Sequence, residues 1–154
     1  MAERKPKLEV SFVLQSKEWR KHLPKIRTLS RAVLSSVLAH EQLASGTYAV
    51  SVVFADDAFV KDLNHTYRGK NKPTNILSFE SDEEGYLGDM ILAFETILRE
   101  AEEQGKTFSH HLTHLLVHGL LHLLGHDHEE DAAAEVMENK EIAILKGMGI
   151  KNPY

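Results

Sequence analysis

The feature that most constrains this sequence is a histidine motif, H-x-x-x-H-x-x-G-x-x-H, formed by His118, His122, Gly125 and His128. Residues four apart on a helix share one face, about 6 Å apart along the axis. Gly125 can adopt the left-handed backbone that ends a helix, which lets the chain bring His128 back beside the other two. Three imidazoles that leave an open position for water are typical of catalytic zinc. The sequence therefore predicts one Zn²⁺ per chain, bound by these three histidines.

The same spacing occurs in metzincin peptidases, in which a glutamate follows the first histidine and serves as the general base. Here that position is Gly119. The motif thus keeps the ligands of a zinc hydrolase but lacks the residue that peptide hydrolysis most needs. A zinc peptidase is the least favoured of the functions that the motif allows.

The segment around the motif is predicted to be a buried helix, because apolar residues surround the histidines on nearly all sides. His111, His114, His118 and His122 step by three, four and four residues, so they form one stripe on this helix. Buried imidazoles need partners, since an unpaired buried polar group is costly. We expect the metal to satisfy the last two histidines of the stripe, and the first two to lie too far from it to be ligands.

Composition and charge limit the classes of function. The chain of 154 residues suits one domain, predicted over residues 1–154, and the lack of cysteine excludes disulfides and thiolate metal sites. A charged N-terminal segment without an apolar stretch after it predicts no signal peptide. No apolar run is long enough for a membrane span, so we expect a cytoplasmic protein without a membrane partner. The net charge of −5 argues against indiscriminate binding to nucleic acid.

The pattern of apolar residues predicts strands over residues 8–14, 47–54, 76–80 and 88–93. Helices are predicted over residues 17–44, with Pro24 marking the true start, and then over residues 57–67, over 95–104, along the histidine segment after Ser109, and over 130–146. Asp56 and Ser109 are the predicted N-caps of the second and fourth helices, and Gly105 and Gly147 the predicted ends of the third and fifth. Because the elements do not alternate strictly as βαβ units, we expect an α/β (α+β) fold: one mixed four-stranded sheet packed with helices.

A polar loop over residues 68–75 concentrates three cations, Arg68, Lys70 and Lys72. A guanidinium group binds phosphate through a planar fork and stabilises charge that develops on it. Tyr67, next to the loop, offers a ring on which a nucleic-acid base can stack. A solvated surface loop is the alternative, because three Lys or Arg in five residues is a common occurrence. On its own, this loop favours the alternative.

Together, the basic loop and the histidine motif resemble the YbeY family. The resemblance covers about residues 47–154 and is carried by Leu63-Asn64, Tyr67-Arg68-Gly69-Lys70, Pro73-Thr74-Asn75, Leu77-Ser78-Phe79, Leu87-Gly88-Asp89, His118-Gly119, Leu121-His122-Leu123, Gly125, Asp127-His128, Glu135 and Met137-Glu138. Members of this family are bacterial metal-dependent endoribonucleases that mature the 3′ end of the small-subunit (16S) ribosomal RNA and act in ribosome quality control. The resemblance implies a zincin-like fold and single-stranded ribosomal RNA as substrate. It also implies small-subunit ribosomal proteins and an assembly GTPase as partners.

The resemblance also assigns roles to residues. It implies that the three motif histidines match the family's zinc ligands and that Arg68 matches the functional arginine beside the metal. We therefore expect Arg68 and His118 to be catalytic, and Arg68, Lys70 and Lys72 to contact the RNA. One departure is His126, where the family commonly has tyrosine. This change leaves the ligands intact and puts another imidazole near the predicted ion.

Two questions stay open at this point. The residue that transfers protons is not assigned, because Asp89, His126 and Asp127 are all candidates and the sequence does not rank them. The main alternative function is a non-catalytic ribosome assembly factor with a structural zinc. Such a site is usually closed by a fourth protein ligand, for which His126 is the only obvious candidate.

Overall fold

One four-stranded sheet organises the molecule, which we describe from a computed structural model of residues 5–154. Residues 1–4, which the predicted domain and the N-terminal segment include, lie outside the described range. The strands are β1 (Lys7–Leu14), β2 (Thr47–Ala55), β3 (Ile76–Glu80) and β4 (Tyr86–Ala93). The helices are α1 (Glu18–His22), α2 (Ile26–His40), α3 (Asp57–Arg68), α4 (Phe94–Glu103), α5 (Phe108–Leu123) and α6 (Asp131–Gly147).

The strand order is β1-β2-β4-β3. Strands β1, β2 and β4 are mutually parallel, whereas β3 pairs antiparallel with β4 and forms one edge of the sheet. This arrangement confirms the predicted mixed four-stranded sheet. The short acidic turn between β3 and β4 permits their antiparallel pairing, whereas the parallel pairs need the longer helical connections that the sequence supplies.

The sheet separates two clusters of buried side chains, because alternate residues of a strand point to opposite faces. On one face, inward residues of β2 and β4 such as Val52 and Met90 pack against α2, α5 and α6. On the other face, Leu77 and Ile91 pack against Val60 of α3. The molecule is therefore a sheet with most of its helices on one side and α3 on the other.

Helix α5 lies at the centre of the larger cluster, and Leu112, Leu116 and Leu120 along it are fully buried. This burial follows from its nearly all-round apolar sequence. Within residues 5–154, neither this helix nor any other is both long enough and apolar enough to cross a membrane.

Three predicted helix boundaries are wrong. The single helix predicted over residues 17–44 is two helices, α1 and α2, with Pro24 in the break between them. The N-cap of α5 is Thr107, whose hydroxyl accepts a hydrogen bond from the backbone N–H of His110 at 3.1 Å, and not Ser109. Helix α6 runs through Gly147, and the left-handed residue that follows it is Gly149, with φ 77°.

The short helix α1 is fixed to the sheet by Trp19, which is completely buried. Its indole Nε1–H donates a hydrogen bond of 2.8 Å to the carbonyl oxygen of Ala55 at the end of β2. The indole ring also packs against three phenylalanines, Phe54, Phe94 and Phe108, at centroid distances of 5.0, 5.4 and 5.4 Å. These contacts hold a helix of only five residues in one orientation.

Candidate functional site

A cleft of about 310 Å³ lies beside the edge strand β3. Its lining residues are Arg68, Lys70, Ile76, Leu77, Ser78, His118, His122, Asp127, His128 and Glu129. The fold therefore brings the three predicted zinc ligands together with Arg68 and Lys70, although 50 residues separate Arg68 from His118 in the sequence. Lys72, the third cation of the basic loop, is not among the lining residues.

The end of α5 explains how the third histidine reaches the cleft. Gly125 has a left-handed φ of 102°, as its place in the motif predicts. The backbone N–H of Gly125 bonds the carbonyl of His122 at 3.0 Å, and that of His126 bonds the carbonyl of Leu121 at 3.1 Å. This pair of bonds is a Schellman motif, which ends the helix and reverses the chain. As a result, the ring centroid of His128 lies 5.3 Å from that of His118 and 6.3 Å from that of His122.

These distances can be compared with those of a zinc site. Imidazoles bound to tetrahedral zinc through Zn–N bonds of about 2 Å have ring centroids roughly 5 Å apart. The separation of His118 and His128 matches this value, and that of His122 and His128 exceeds it by about 1 Å. Across residues 5–154, no three His, Cys, Asp or Glu side chains are already arranged to hold a metal ion. The donor set and spacing fit zinc, provided that the rings turn toward a common point.

His122 has few competing partners within the protein. Its Nδ1 atom is buried and has no hydrogen-bond partner among the described residues. Its Nε2 atom lies 3.9 Å from a carboxylate oxygen of Glu80, a residue whose side chain is 61% exposed. A buried polar atom without a partner is costly, so this ring is poorly satisfied by the protein alone. An external ligand at this ring would therefore have to displace only the distant contact with Glu80.

Behind His118 lies a buried carboxylate, Glu141 of α6, which is not among the predicted site residues. Its Oε1 atom lies 3.3 Å from Nδ1 of His118 and 2.9 Å from Nε2 of His114, and the hydroxyl of Tyr154 donates to both carboxylate oxygens at 3.0 Å. Metal-binding histidines commonly bond a carboxylate through the ring nitrogen that does not bind the metal. This contact leaves Nε2 of His118 free for an ion.

The surroundings of Glu141 also set its charge. Burial alone would raise the pKa of this carboxyl, but hydrogen bonds from His114 and His118 outweigh burial and lower the pKa to about 2. Glu141 is therefore ionised at neutral pH even though its residue has no solvent exposure. A sequence signal was present, because Glu141 lies four residues after the buried Met137 and three before the buried Ile144, on the inward face of α6.

Helix α5 approaches the sheet closely at Gly119, the residue that follows His118. A Cβ atom at this position would lie 2.7 Å from both Cδ1 of Ile76 and Sδ of Met90. Side chains that are already packed must move to relieve contacts this short. A glutamate at this position would therefore be directed against the sheet and not into the cleft. The close packing gives a physical reason why the general base of a zinc peptidase is absent.

Arg68 is held in place at the end of α3. The helix begins at the N-cap Asp56, as predicted, and ends at Gly69, which has a left-handed φ of 68°. The guanidinium of Arg68 donates a 3.0 Å hydrogen bond to the carbonyl of Ser78 and lies 5.2 Å from the ring centroid of Phe79. These contacts fix the arginine against β3, which lines the cleft.

The rest of the basic loop is fixed by a different contact. The buried side chain of Asn64 donates a 2.8 Å hydrogen bond to the backbone carbonyl of Lys72. This bond closes the loop so that Lys70 lines the cleft and Lys72 does not. Tyr67 stays 66% exposed, and its ring lies 5.6 Å from that of Phe79.

The three candidates for proton transfer occupy different places. Asp127 lines the cleft. Asp89 alternates with Met90 on β4, so it lies on the face away from α5, where it accepts a hydrogen bond from Tyr86. His126 bonds the carboxylate of Glu41 through its Nε2 atom. The geometry therefore favours Asp127 and turns His126 away from the role of a fourth ligand.

Glu41, at the end of α2, anchors the loop that carries His128, the third predicted ligand. Its side chain is 6% exposed and pairs with both His126 and Lys140 of α6, the latter at 2.7 Å. Burial would raise the pKa of Glu41, but hydrogen bonds from Lys140 and His126 outweigh burial and lower it. The contact spans 85 residues of sequence, and no local pattern indicates it.

Comparison with known proteins identifies the family. The family model described as endoribonuclease YbeY matches residues 13–149. A protein named endoribonuclease YbeY from Rhodopseudomonas palustris is 42% identical, over 88% of this chain and 76% of that protein. Another of the same name, from Paramagnetospirillum magneticum, is 41% identical over 96% of each. A solution structure from Thermotoga maritima is 24% identical over 92% of each chain, with a TM-score of 0.59, and supports the fold. The chain belongs to the YbeY endoribonuclease family.

Proposed function

We propose that this protein is a zinc-dependent endoribonuclease that cleaves single-stranded RNA and acts in 3′-end maturation of 16S ribosomal RNA and in ribosome quality control. The observation that carries the proposal is the meeting of three imidazoles and a fixed guanidinium in one cleft, in a chain of an endoribonuclease family. Such a role implies the cytoplasm as location, with small-subunit ribosomal proteins and an assembly GTPase as partners.

His118, His122 and His128 would hold the zinc ion. When bound, zinc supplies a Lewis acid and lowers the pKa of a coordinated water to about 7. The carboxylate of Glu141 bonds Nδ1 of His118, fixes the orientation of that ring and increases its basicity. His118 would therefore both hold the ion and convey the effect of the buried Glu141 charge to it.

Arg68 is the residue that we expect to recognise the scissile phosphate. Its hydrogen bond to the carbonyl of Ser78 holds the guanidinium at the cleft before substrate arrives, so little reorganisation is needed during the reaction. The remaining N–H groups can donate to phosphate oxygens and offset the charge that develops on them. Lys70 adds attraction for phosphate without reading the base sequence. Lys72 would contribute only to the general field of the loop.

Asp127 is the proposed group for proton transfer. Its Oδ1 atom accepts a 3.0 Å hydrogen bond from the backbone N–H of Glu129, which orients the carboxylate next to His128. The second oxygen is free to accept a proton from water or the ribose and to return it to the leaving oxygen. The exposed ring of Tyr67, beside Arg68, is placed to stack on an unpaired base, which favours single-stranded substrates.

Two other functions are less well supported. A zinc peptidase would need a general base where Gly119 packs against the sheet. A non-catalytic assembly factor with a structural zinc would need a fourth protein ligand. His126, the obvious candidate, is paired with Glu41 instead.

The direct test is to incubate the zinc-loaded protein, the chelated protein and the zinc-restored protein with single-stranded ribosomal RNA, a fully paired RNA duplex and a casein peptide. We expect cleavage of the single-stranded RNA alone, its loss on chelation and its recovery with zinc. Peptide cleavage would contradict the assignment, as would RNA cleavage that survives complete removal of metal.

A further inference from the structure

A second cavity, of about 630 Å³, lies at the opposite edge of the sheet from the cleft. Its lining residues are Leu14, Ser16, Lys17, Arg20, Lys21 and Arg27, contributed by the end of β1, by the connection to α1, by α1 itself and by the start of α2. Four of these six side chains are cationic, and we call Lys17, Arg20, Lys21 and Arg27 the basic surface. None of the functions assigned to the cleft uses it.

We propose that the basic surface binds the phosphate backbone of the same single-stranded RNA whose scissile segment lies in the cleft. This inference rests on the proposed RNA-cleaving function and adds a second contact for its substrate. The surface would supply affinity and direction for a long RNA, and would take no part in bond cleavage.

The charge of this region runs against the charge of the whole chain. The net charge is −5, yet residues 17–31 contain six Lys or Arg and a single carboxylate, Glu18. A concentrated positive region in an acidic protein produces a local field that attracts polyanions, while the rest of the surface repels them. Phosphate contacts by Lys and Arg supply most of the sequence-independent affinity for nucleic acid.

Most of this positive charge is available to a ligand. Lys21 pairs with Glu18 at 3.1 Å, an exposed contact of small energetic value. Lys17, Arg20 and Arg27 are exposed and form no ion pair with any residue between 5 and 154. Three unpaired cations therefore face one cavity.

A cluster of exposed cations is ordinarily just a solvated charged face. The basic surface differs because the backbone that carries its cations is rigid. Trp19 lies between Lys17 and Arg20, is fully buried, and bonds the carbonyl of Ala55 at 2.8 Å. The backbone N–H groups of Gln15 and Ser16 both bond the carbonyl of Phe54, at 2.9 and 3.2 Å. These contacts fix the backbone on both sides of Lys17 and next to Arg20, and the buried Ile26 fixes it next to Arg27, which lowers the entropy lost on binding.

The position of the surface suits a single strand that also enters the cleft. β1 and β3 are opposite edges of a four-stranded sheet, so three strand spacings separate them, or about 14 Å. A short RNA can fill the cleft without reaching β1, whereas a longer one can contact both sites. The proposal therefore predicts an effect that depends on RNA length.

The test compares two matched double variants of the full-length, zinc-loaded protein. Arg20→Ala with Arg27→Ala removes two cations from the basic surface, and Arg99→Ala with Lys146→Ala removes two exposed cations elsewhere. RNA binding is measured by fluorescence anisotropy at several salt concentrations, and cleavage by KM and kcat. Single-stranded RNAs of about 4 and about 16 nucleotides bracket the usual size of such sites. Melting temperatures verify that all variants fold.

We expect the Arg20 and Arg27 variant to bind the long RNA roughly ten-fold more weakly, with a salt slope reduced by about 1.4, since each lost contact to a single strand accounts for about 0.7. Its KM for the long RNA should rise with kcat unchanged, and the short RNA should show no change. The proposal is overturned if this variant binds the long RNA like the wild type, or if the control variant loses as much affinity.

The same measurements separate this inference from the proposed function. A wild-type protein that binds the long RNA through the basic surface but never cuts it would support the surface and contradict the nuclease assignment. A protein that cuts both RNAs with equal KM in the wild type and the Arg20 and Arg27 variant would contradict the surface alone.

Discussion

The histidine stripe of α5 has two halves with different surroundings. In the first half, His111 is 3% exposed with its Nε2 atom 2.9 Å from Glu100, and Nε2 of His114 lies 2.9 Å from Glu141. In the second half, His118 and His122 line an open cleft. The residue type and the helix face are the same, so neither determines which histidines can bind an ion.

The supply of carboxylates makes the difference. In the first half, Nε2, the nitrogen that most often binds a metal, is already bonded to a carboxylate, the half-buried Glu100 for His111 and the buried Glu141 for His114. Burial also lowers the pKa of His111, outweighing the opposite effect of Glu100, and favours the neutral ring. In the second half, Glu141 bonds the Nδ1 atom of His118 and leaves Nε2 free. The first half thus serves packing, and the second half is available for chemistry.

The largest expected effect concerns Arg68, the proposed phosphate-binding residue in the cleft that the second half of the stripe lines. Arg68→Ala should lower RNA cleavage by roughly ten- to a thousand-fold, the effect of losing a preorganised contact to developing charge. Zinc content and melting temperature should stay close to wild type, because Arg68 is exposed and its contacts are limited to the Ser78 carbonyl and the Phe79 ring on the edge strand. Arg68→Lys should recover only part of the rate, since an ammonium lacks the planar fork. A metal-loaded Arg68→Ala protein that cleaves RNA at the wild-type rate would show that Arg68 is only a solvated surface residue.

The next largest effect is expected at Glu141, whose carboxylate contacts His114 in the first half and His118 in the second. Glu141→Gln keeps the shape of the side chain but removes its charge, and should weaken zinc binding by roughly ten- to a hundred-fold, as loss of an outer partner of a metal ligand does. The matched control is His111→Gln, which alters a buried imidazole of the first half and should leave zinc affinity unchanged. Competition titrations with a zinc chelator measure both. Equal losses in the two variants would remove the distinction between the halves.

A smaller effect is expected at Gly119, which lies between the two histidines of the second half. Gly119→Ala places a methyl group 2.7 Å from the tips of Ile76 and Met90, which must shift. Overpacking of about 1–3 kcal/mol is partly offset by the higher helix propensity of alanine, about 1 kcal/mol, so we expect a net loss of about 1 kcal/mol in unfolding free energy. Denaturant unfolding measures the change. An increase in stability would show that the helix does not approach the sheet as closely as described.

The smallest effect is a pH dependence of stability that comes from His111 in the first half. Because the folded-state pKa of His111 is lowered from 6.5, the unfolded chain binds more protons, and stability decreases as the pH falls below about 6.5. His111→Gln removes this contribution, so the unfolding free energy of the chelated variant should depend less on pH between 8 and 5 than that of the chelated wild type. The exposed neighbour variant His110→Gln should retain the wild-type slope. Identical slopes for all three would contradict a buried neutral His111.

Much of the fold was predictable, because periodicity and helix-ending residues are local signals. Asp56 caps α3, and Gly105 and Gly125 adopt the left-handed backbone, as expected. The N-cap of α5 was not predictable, since Thr107 and Ser109 are both good capping residues. Packing selects Thr107 as the N-cap. Phe108 belongs to the aromatic cluster around Trp19, and α5 begins at this residue.

The candidate site, too, was only partly predictable from local sequence signals. The motif histidines and Arg68 stand out in the sequence, whereas their supporting contacts depend on the folded chain. Glu141 on α6 and Glu41 at the end of α2 reach His118 and His126 from elements distant in the sequence. Asp89 was a wrong candidate for the cleft, because the strand pattern does not indicate which face of the sheet meets α5.

The zinc content of His122→Ala tests the central claim most directly, because the buried Nδ1 atom of this ring has no hydrogen-bond partner among the described residues and Nε2 has only the exposed Glu80, at 3.9 Å. Elemental analysis should find one equivalent of zinc in the wild type and in His110→Ala, which alters an exposed histidine of the same helix. It should find far less than one equivalent in His122→Ala, with loss of the stability that bound metal adds. A full equivalent of zinc in His122→Ala would contradict the claim that the second half of the stripe is a metal site.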